Sequence, residues 1–178
     1  MIELLDQRES VSSYPATPSG LSAAAAALAP GVVWDRLFAW ISWRWGTTLA
    51  SYTLSGCGEF VVPLSPATVT QVSRYSDEER DWISITPQNG PRGVELPVHG
   101  VWRIICTAGG DDPVPPAVQE AYRRLAEYLA QTSQHPAGVS SMGSGELNVR
   151  FRADYAARAL QLSGAADLLR PYRLLGRH

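Results

Sequence analysis

The sequence contains no lysine, so all fifteen of its basic side chains other than histidine are arginines. These arginines are scattered along the chain and the formal net charge is −2, so there is no basic stripe of the kind that nucleic-acid-binding proteins usually carry. Arginine is the basic residue best suited to packed, bidentate contacts. The absence of a basic stripe therefore argues against general nucleic-acid binding, and the use of arginine alone is compatible with protein interfaces.

Cysteine and histidine are also scarce. Cys57 and Cys106 form no CxxC pair, which predicts two buried free thiols in a reducing compartment; a disulfide between two strands is the alternative. There is no HExxH, no glycine-rich phosphate loop and no nucleophile elbow. We therefore expect no enzyme, no metal site and no cofactor. A pair formed by Cys106 and His99 is the one catalytic alternative that the sequence leaves open.

No apolar run is long enough to span a bilayer, so no membrane partner is expected. A chain of 178 residues suits one domain, and 45% hydrophobic against 18% charged residues is typical of a globular protein.

Helical spacing is clearest near the first third of the chain, where we predict helices within residues 19–45. One apolar helical face is formed by Trp34, Leu37, Phe38, Ile41 and Trp45. Trp40 and Trp43 fall on the opposite side, near Arg36. Because exposed tryptophan is costly and interface cores favour it, these residues predict a subunit interface. The alternative is that they cover a neighbouring loop of the same subunit.

Residues 47–107 are typical of short antiparallel strands, with the acidic run 76–81 as a solvated hairpin tip. A helix is predicted over 114–131, and its exposed face adds Arg123 and Arg124 to the predicted subunit interface. Residues 133–152 are expected to be a linker with a possible short strand. Residues 1–18 are expected to be an N-terminal arm, with a short strand over residues 2–5 that needs a partner as the alternative. The predicted fold is α+β: a small helical bundle with an inserted small antiparallel β-sheet and an extended C-terminal arm.

The C-terminal residues 153–178 are rich in leucine, tyrosine and arginine and follow the predicted linker. Such an apolar end must dock either on its own core or on a partner.

A different functional alternative comes from Tyr75, Trp82 and Trp102. These residues could line a sugar site on a β-rich carbohydrate-binding module, although aromatic residues on short strands more often belong to the core.

Several stretches, taken in order, form a more specific pattern. An aromatic helix over 34–45 is followed by "LSPATVTQVSRYSD", by "VWRIICTAGGDDPVPPAVQEAYRRLAEYLAQ" and by the terminal "DLLRPYRLL". Together they resemble the head–tail connector, or adaptor, family of long-tailed phages and gene transfer agents, over roughly residues 20–175. Gly110 is a departure, since many members of that family carry an aromatic residue there.

This resemblance implies a virion protein without catalysis, made in the bacterial cytoplasm and placed at the neck of a phage or phage-like particle. About twelve copies would form a ring below the portal protein, since a head-to-tail contact that closes generates a ring. The ring would join the DNA-filled head to a stopper or tail-completion protein. Double-stranded DNA would pass through it during ejection without specific binding, which suits a weakly acidic chain. A stopper or tail-completion role is the alternative.

The resemblance also assigns portal docking to the C-terminal segment. The residues that it implies are Tyr155, Leu162, Leu168, Leu169, Arg170, Pro171, Tyr172, Arg173, Leu174 and Leu175.

Overall fold

The computed structural model describes residues 1–133, 141–144, 147–150 and 158–173. The chain divides into two compact units, each built from two separate segments. The first unit contains residues 1–15 and 42–113, and the second contains residues 16–41 and 114–178.

The first unit is a six-stranded antiparallel sheet. Its strands are β1 (Ile2–Ser13), β2 (Gly46–Phe60), β3 (Ala67–Ser76), β4 (Asp81–Ile85), β5 (Gln88–Asn89) and β6 (Val94–Gly110). The order across the sheet is β1-β2-β6-β3-β4, with the short β5 paired to β6. Every neighbouring pair is antiparallel. The two central strands, β2 and β6, are also the longest.

The core of this unit lies on one face of the sheet. Strand β2 bends where its pairing with β6 shifts register between Gly56 and Gly58, both of which have positive φ. The bend brings the ring of Phe60 to 5.4 Å from that of Tyr52. The buried residues of this face are Ala50, Tyr52, Leu54, Leu64, Val72, Val94, Leu96, Trp102, Ile104, Cys106 and Ala108.

The second unit is built around one long helix. Its elements are α1 (Ala23–Ala26), α2 (Pro30–Trp40), α3 (Pro116–Ser133), the hairpin strands β7 (Ser141–Ser144) and β8 (Leu147–Arg150), α4 (Ala159–Leu162), α5 (Ala165–Leu168) and a 3-10 turn (Arg170–Tyr172). The other four α-helices all contact α3. Within the described ranges, no helix combines the length and the apolar character needed to cross a membrane.

Trp34 lies at the centre of the second unit and is fully buried. Its ring centroid is 4.8 Å from that of Tyr122 on α3 and 5.7 Å from that of Phe38. Glu127 ties α1 to the same helix, because its carboxylate accepts hydrogen bonds from the Ser22 backbone nitrogen at 2.7 Å and the Ser22 hydroxyl at 2.8 Å. These bonds hold the pKa of the Glu127 carboxyl below its usual range.

The predicted fold class is wrong in two respects. The sheet is not a small insertion, since β2 and β6 pair from Gly46 and Gly110 to Phe60 and Val94. Glycine and proline residues that suggested strand ends instead mark a bulge that bends continuous strands. The C-terminal residues 158–173 do not form an extended arm either, because α4 and α5 pack on α3 of the same chain.

Two predicted boundaries also differ. The helix expected to continue to Trp45 ends at Trp40, and Ile41 is extended. The next residues pair with a distant segment instead. The backbone nitrogen of Arg44 donates to the Ser65 carbonyl at 2.8 Å, and the backbone nitrogen of Ser65 donates to the Ser42 carbonyl at 3.0 Å. The N-terminal arm is largely strand β1. The helix expected over 114–131 is α3, and the acidic run 76–81 does join two hairpin strands.

Candidate assembly surfaces

Strand β1 forms one edge of the large sheet. It is twelve residues long, and all but two of its residues are exposed. Among the residues that the structure describes, no strand pairs with its outer side. Natural edge strands are commonly protected by charged side chains, proline, β-bulges or short length. Strand β1 is long and has no proline, but it carries four charged residues and two register shifts, between which residues 6–11 pair regularly with β2. We refer to the outer side of Ile2–Ser13 as the β1 edge.

Two glycines of β2 allow β1 to approach closely at both of its ends. Gly46 has a φ of +77°, and a Cβ there would collide with the carbonyl of Ser13. Gly56 has a φ of +125°, and a Cβ there would collide with the carbonyl of Met1. The hydroxyl of Ser13 also accepts a hydrogen bond of 2.9 Å from the Thr47 nitrogen. The position of β1 is therefore fixed by β2.

A largely buried ion pair secures the middle of β1. The Arg44 guanidinium donates to the carboxylate of Glu9 at 2.9 Å, and the arginine side chain is almost fully buried. The same guanidinium donates to the Trp43 carbonyl at 3.2 Å. Because removal of Glu9 would leave the buried Arg44 charge uncompensated, this pair ties β1 to the segment that carries Arg44.

Two neutral groups lie close to this ion pair on the core face. Burial raises the pKa of the Tyr52 hydroxyl, and burial followed by the nearby Glu9 carboxylate raises the pKa of the Cys106 thiol from 9.0 to about 11. The thiol is therefore protonated near neutral pH and is a poor nucleophile. Both cysteines are free, but only Cys106 is buried as predicted, since Cys57 is partly exposed.

The proposed catalytic pair of Cys106 and His99 is not formed. His99 is exposed in the irregular part of β6, whereas Cys106 is buried seven positions later on the same strand. At about 3.3 Å per residue, the strand separates them by roughly 20 Å. Across the described ranges, no three histidine, cysteine or acidic residues group in a way that could hold a metal ion.

The aromatic residues suggested for a sugar site do not share one surface. Trp102 is buried, and its indole nitrogen donates to the Gly56 carbonyl at 3.1 Å. Trp82 and Tyr75 do form an edge-to-face pair at 5.5 Å on the other face of the sheet. The guanidinium of Arg103 lies 3.9 Å from the Trp82 ring centroid and covers part of it. The sugar-binding hypothesis therefore loses one of its three residues.

The residues predicted for a subunit interface are distributed over both units. Trp43 belongs to the first unit, is partly exposed, and lies 6.2 Å from the Trp45 ring. In the second unit, Arg36 and Trp40 are half-buried. The guanidinium of Arg173 lies 4.5 Å from the Trp40 ring centroid. The role of these residues between subunits stays a prediction.

Arg123 and Arg124, the other two predicted interface residues, already have partners within the subunit. Both guanidinium groups bind the carboxylate of Glu120, at 2.7 Å and 3.0 Å. Arg123 also donates to the Ser19 carbonyl at 2.8 Å, which ties the segment before α1 to α3. Their observed contacts are therefore those of the subunit's own fold.

The residues predicted for portal docking divide into buried and exposed positions. Leu169 is fully buried with 0% of its surface exposed, whereas Leu162 is 50% exposed. The other described positions range from half-buried to exposed: Leu168, Arg170, Pro171, Tyr172 and Arg173. Three further positions lie outside the described residues: Tyr155, Leu174 and Leu175. Docking on the portal through this segment stays a prediction. In the observed conformation Leu169 is buried within its own subunit and is not available to a partner.

The β1 edge was missed because its sequence shows neither strand alternation nor a long apolar run. Only the weak β-propensity around Ile2 suggested a short strand in need of a partner. The partner, β2, begins more than thirty residues after β1 ends, so no local signal reveals the pairing.

No family model matches the sequence, and no curated protein is a significant match to it. A solved structure described as "Neck of empty GTA particle computed with C6 symmetry" is similar to the chain at 16% sequence identity, with 100% of both chains covered and a TM-score of 0.46. A score of this size establishes neither a shared fold nor a shared function.

Proposed function

We propose that the chain is a structural subunit of the neck of a phage or gene transfer agent particle. Copies of it form a ring below the portal and connect the DNA-filled head to the tail. The ordered sequence resemblance to head–tail connectors suggests this role. The β1 edge is the structural observation that supports it, because a long open strand edge is a surface that assembling proteins use to pair with one another.

The finer role that we propose is that of the adaptor, which binds the portal on one side and the stopper on the other. Exposed positions of the C-terminal segment, above all Leu162, supply the apolar portal contact. The acidic hairpin tip, in which Asp77–Arg80 are all exposed, faces either the channel or the next neck component. A weakly acidic wall lets DNA pass, because it does not attract phosphate.

A stopper or tail-completion protein is the second candidate, and the burial of Leu169 favours it. The segment that the resemblance assigns to portal docking packs on α3 of its own chain. A subunit that uses this segment internally has to present other surfaces to its neighbours, and the portal is then not its obligatory partner.

Deletion of the gene in a cell that produces the particle tests the structural role. We expect DNA-filled heads and separate tails by electron microscopy, with recovery of tailed particles when the wild-type gene is restored. Normal numbers of intact tailed particles from the deletion strain would overturn the proposal.

The two candidates differ in the partner that is lost. Restoring the deletion strain with Leu162→Asp tests portal docking, and Gln161→Asp, at a neighbouring exposed position, is the matched control. An adaptor predicts that only Leu162→Asp leaves the heads without this protein. Heads that retain the Leu162→Asp protein but lack tails would favour the stopper or tail-completion role.

A further inference from the structure

We propose that the β1 edge of one copy pairs with strand β4 of the next copy, so that the sheet continues from subunit to subunit around the ring. This inference rests on the proposed function, and it specifies the contact from which the ring is built. The partner is a second copy of the chain, because β1 and β4 are the two ends of one sheet. A head-to-tail contact uses both ends at once, and a closed ring then leaves neither edge open.

The lengths of the two edges correspond. The pairing of β1 with β2 shifts register between Leu4 and Asp6 and again between Val11 and Ser13. The regular stretch between these shifts is Asp6–Val11. Strand β4 has five residues, Asp81–Ile85, and they fit within it. All five residues are exposed or half-buried, and among the described residues no strand pairs with the outer side of β4.

The directions of the strands determine the kind of pairing. Each of the four steps from β1 to β4 across the sheet is antiparallel, so β1 and β4 run in the same direction. Copies related by rotation about an axis along the strands therefore pair β4 with the next β1 in parallel. Parallel pairing needs no hairpin connection here, because the two strands belong to different chains.

The two faces of the sheet determine the register. Glu9 and Val11 lie on the core face of β1, since they pair with Ala50 and Thr48, while Ser10 lies on the other face. On β4, Ile85 pairs with the core residue Val72, so Ser84 lies on the face opposite the core. A continuous sheet keeps each face intact.

Within Asp6–Val11, only one register both keeps the two faces and pairs all five residues of β4. It places Ser84 opposite Ser10 of the next copy.

The side chains brought together in this register are compatible. Val11 lies beside Ile85, which buries apolar surface on the core face. Arg8 lies beside Trp82, a pair that favours contact of the guanidinium with the ring.

The acidic residues of the β1 edge cause little repulsion. Asp6 and Glu9 are already paired within the subunit, with Arg8 and Arg44, each at 2.9 Å.

Disulfide trapping tests the contact and its register together. The double variant Ser10→Cys, Ser84→Cys is made in a Cys57→Ser background, assembled with the portal and treated with oxidised glutathione. Within one subunit, β1 and β4 are four strand spacings apart, roughly 19 Å along the sheet at ~4.8 Å per spacing. A disulfide needs Cα atoms within about 7 Å, so this bond can form only between copies.

The expected result is a ladder of covalent oligomers that extends to the full ring on a non-reducing gel. The control pair Ser10→Cys, Ile83→Cys places the two thiols on opposite faces, and we expect no ladder from it. A ring of full mass by light scattering without a ladder would overturn the sheet contact and leave the proposed function standing. Failure of the wild-type chain to form a ring with the portal would overturn both the adaptor role and the sheet contact.

A second pair of variants introduces no cysteine. Ile83 on β4 is 40% exposed and Val98 in the irregular part of β6 is 45% exposed, so glutamate at either position is accommodated by the isolated subunit. In the proposed register Ile83 lies beside Glu9 of the next copy, so a carboxylate at position 83 places two like charges opposite each other, which destabilises strand pairing. We expect ring formation to be lost in Ile83→Glu and preserved in Val98→Glu. Equal assembly of the two variants would contradict the proposed contact.

Discussion

The guanidinium group of Arg173 lies over the indole ring of Trp40, 4.5 Å from its centroid. Trp40 is the last residue of α2, and Arg173 follows the 3-10 turn near the end of the described chain. The sequence resemblance assigned Arg173 to the portal, and the aromatic pattern assigned Trp40 to a subunit interface. In the folded subunit the two residues contact each other, so this part of the C-terminal segment is held by its own chain.

This contact makes a small contribution to stability. We expect Arg173→Ala to lower the free energy of unfolding by about 0.5–1 kcal/mol, the usual range for a cation–π contact at an exposed site. Arg170→Ala, which removes an exposed arginine three positions earlier, should change it by less than about 0.5 kcal/mol. Urea denaturation of the three proteins provides the measurement. Equal stability of the two variants would show that the contact between Arg173 and the indole ring of Trp40 contributes nothing to the free energy of unfolding.

Substitutions of Leu169 and Leu162 distinguish a side chain that stabilises the fold from one that is exposed and available for docking. Leu169→Ala empties a fully buried site, so we expect a loss of about 2–5 kcal/mol in the free energy of unfolding. Leu162→Ala removes a half-exposed side chain and should cost much less, within about 0.5 kcal/mol. Thermal melting monitored by circular dichroism compares them. A normal melting temperature for Leu169→Ala would mean that residues 158–173 do not pack on α3 in solution.

The ion pair between Arg44 and Glu9 should be essential for the position of β1. Glu9→Gln leaves the almost fully buried Arg44 guanidinium without its carboxylate, and we expect a cost of about 3 kcal/mol, at the lower end for a broken buried pair because Glu9 itself is partly exposed. Hydrogen exchange of the β1 amides gives the local readout, and exchange should become faster there. Asp6→Ala, which breaks an exposed pair with Arg8, is the control and should have little effect.

The sequence predicted the elements whose stabilising contacts are local. The helix α3 and the burial of Trp34 follow from helical spacing, and the hairpin tip at residues 76–81 follows from its turn composition. β1 could not be predicted in the same way, because both of its faces are exposed and its residues do not alternate. Its pairing depends on Gly46 and Gly56 of a distant strand.

The largest error in the predicted sheet concerned where the strands end, not which residues form strands. Pro97 and Gly100 suggested that one strand ended and another began, whereas β6 runs through both of them. A bulge accommodates these residues because the extra backbone is absorbed opposite the bend in β2. The C-terminal segment gave a different error. Its leucines indicated a segment that docks either on its own core or on a partner, but composition alone could not show that Leu169 is buried within its own subunit.

Alkaline pH should destabilise the first unit partly through Cys106. In the folded state the thiol has a pKa of about 11, raised from 9.0, so the unfolded chain loses this proton first. The stabilising contribution is complete below pH 9 and is lost as the pH rises from about 9 to about 11. We expect Cys106→Ala to show a smaller decrease in stability over that window. The same decrease in both proteins would show that ionisation of the Cys106 thiol does not contribute to the loss of stability.

Thiol labelling gives an independent check on the two cysteines. At pH 8, iodoacetamide should modify the half-buried Cys57 and leave the buried Cys106 unmodified until denaturant is added. Mass spectrometry of the labelled peptides distinguishes the two sites. Equal labelling rates in the native protein would mean that Cys106 is accessible.

The central claim is that the chain is an adaptor, a neck subunit that forms a ring on the portal, and the mass of its complex with the portal tests it most directly. The purified chain is mixed with the portal protein encoded in the same gene cluster, and the mixture is measured by size-exclusion chromatography with light scattering. We predict co-elution at a mass that corresponds to a full ring, about twelve copies per portal for an adaptor. Separate elution of the two proteins, with the chain at the mass of a single subunit, would contradict the adaptor role.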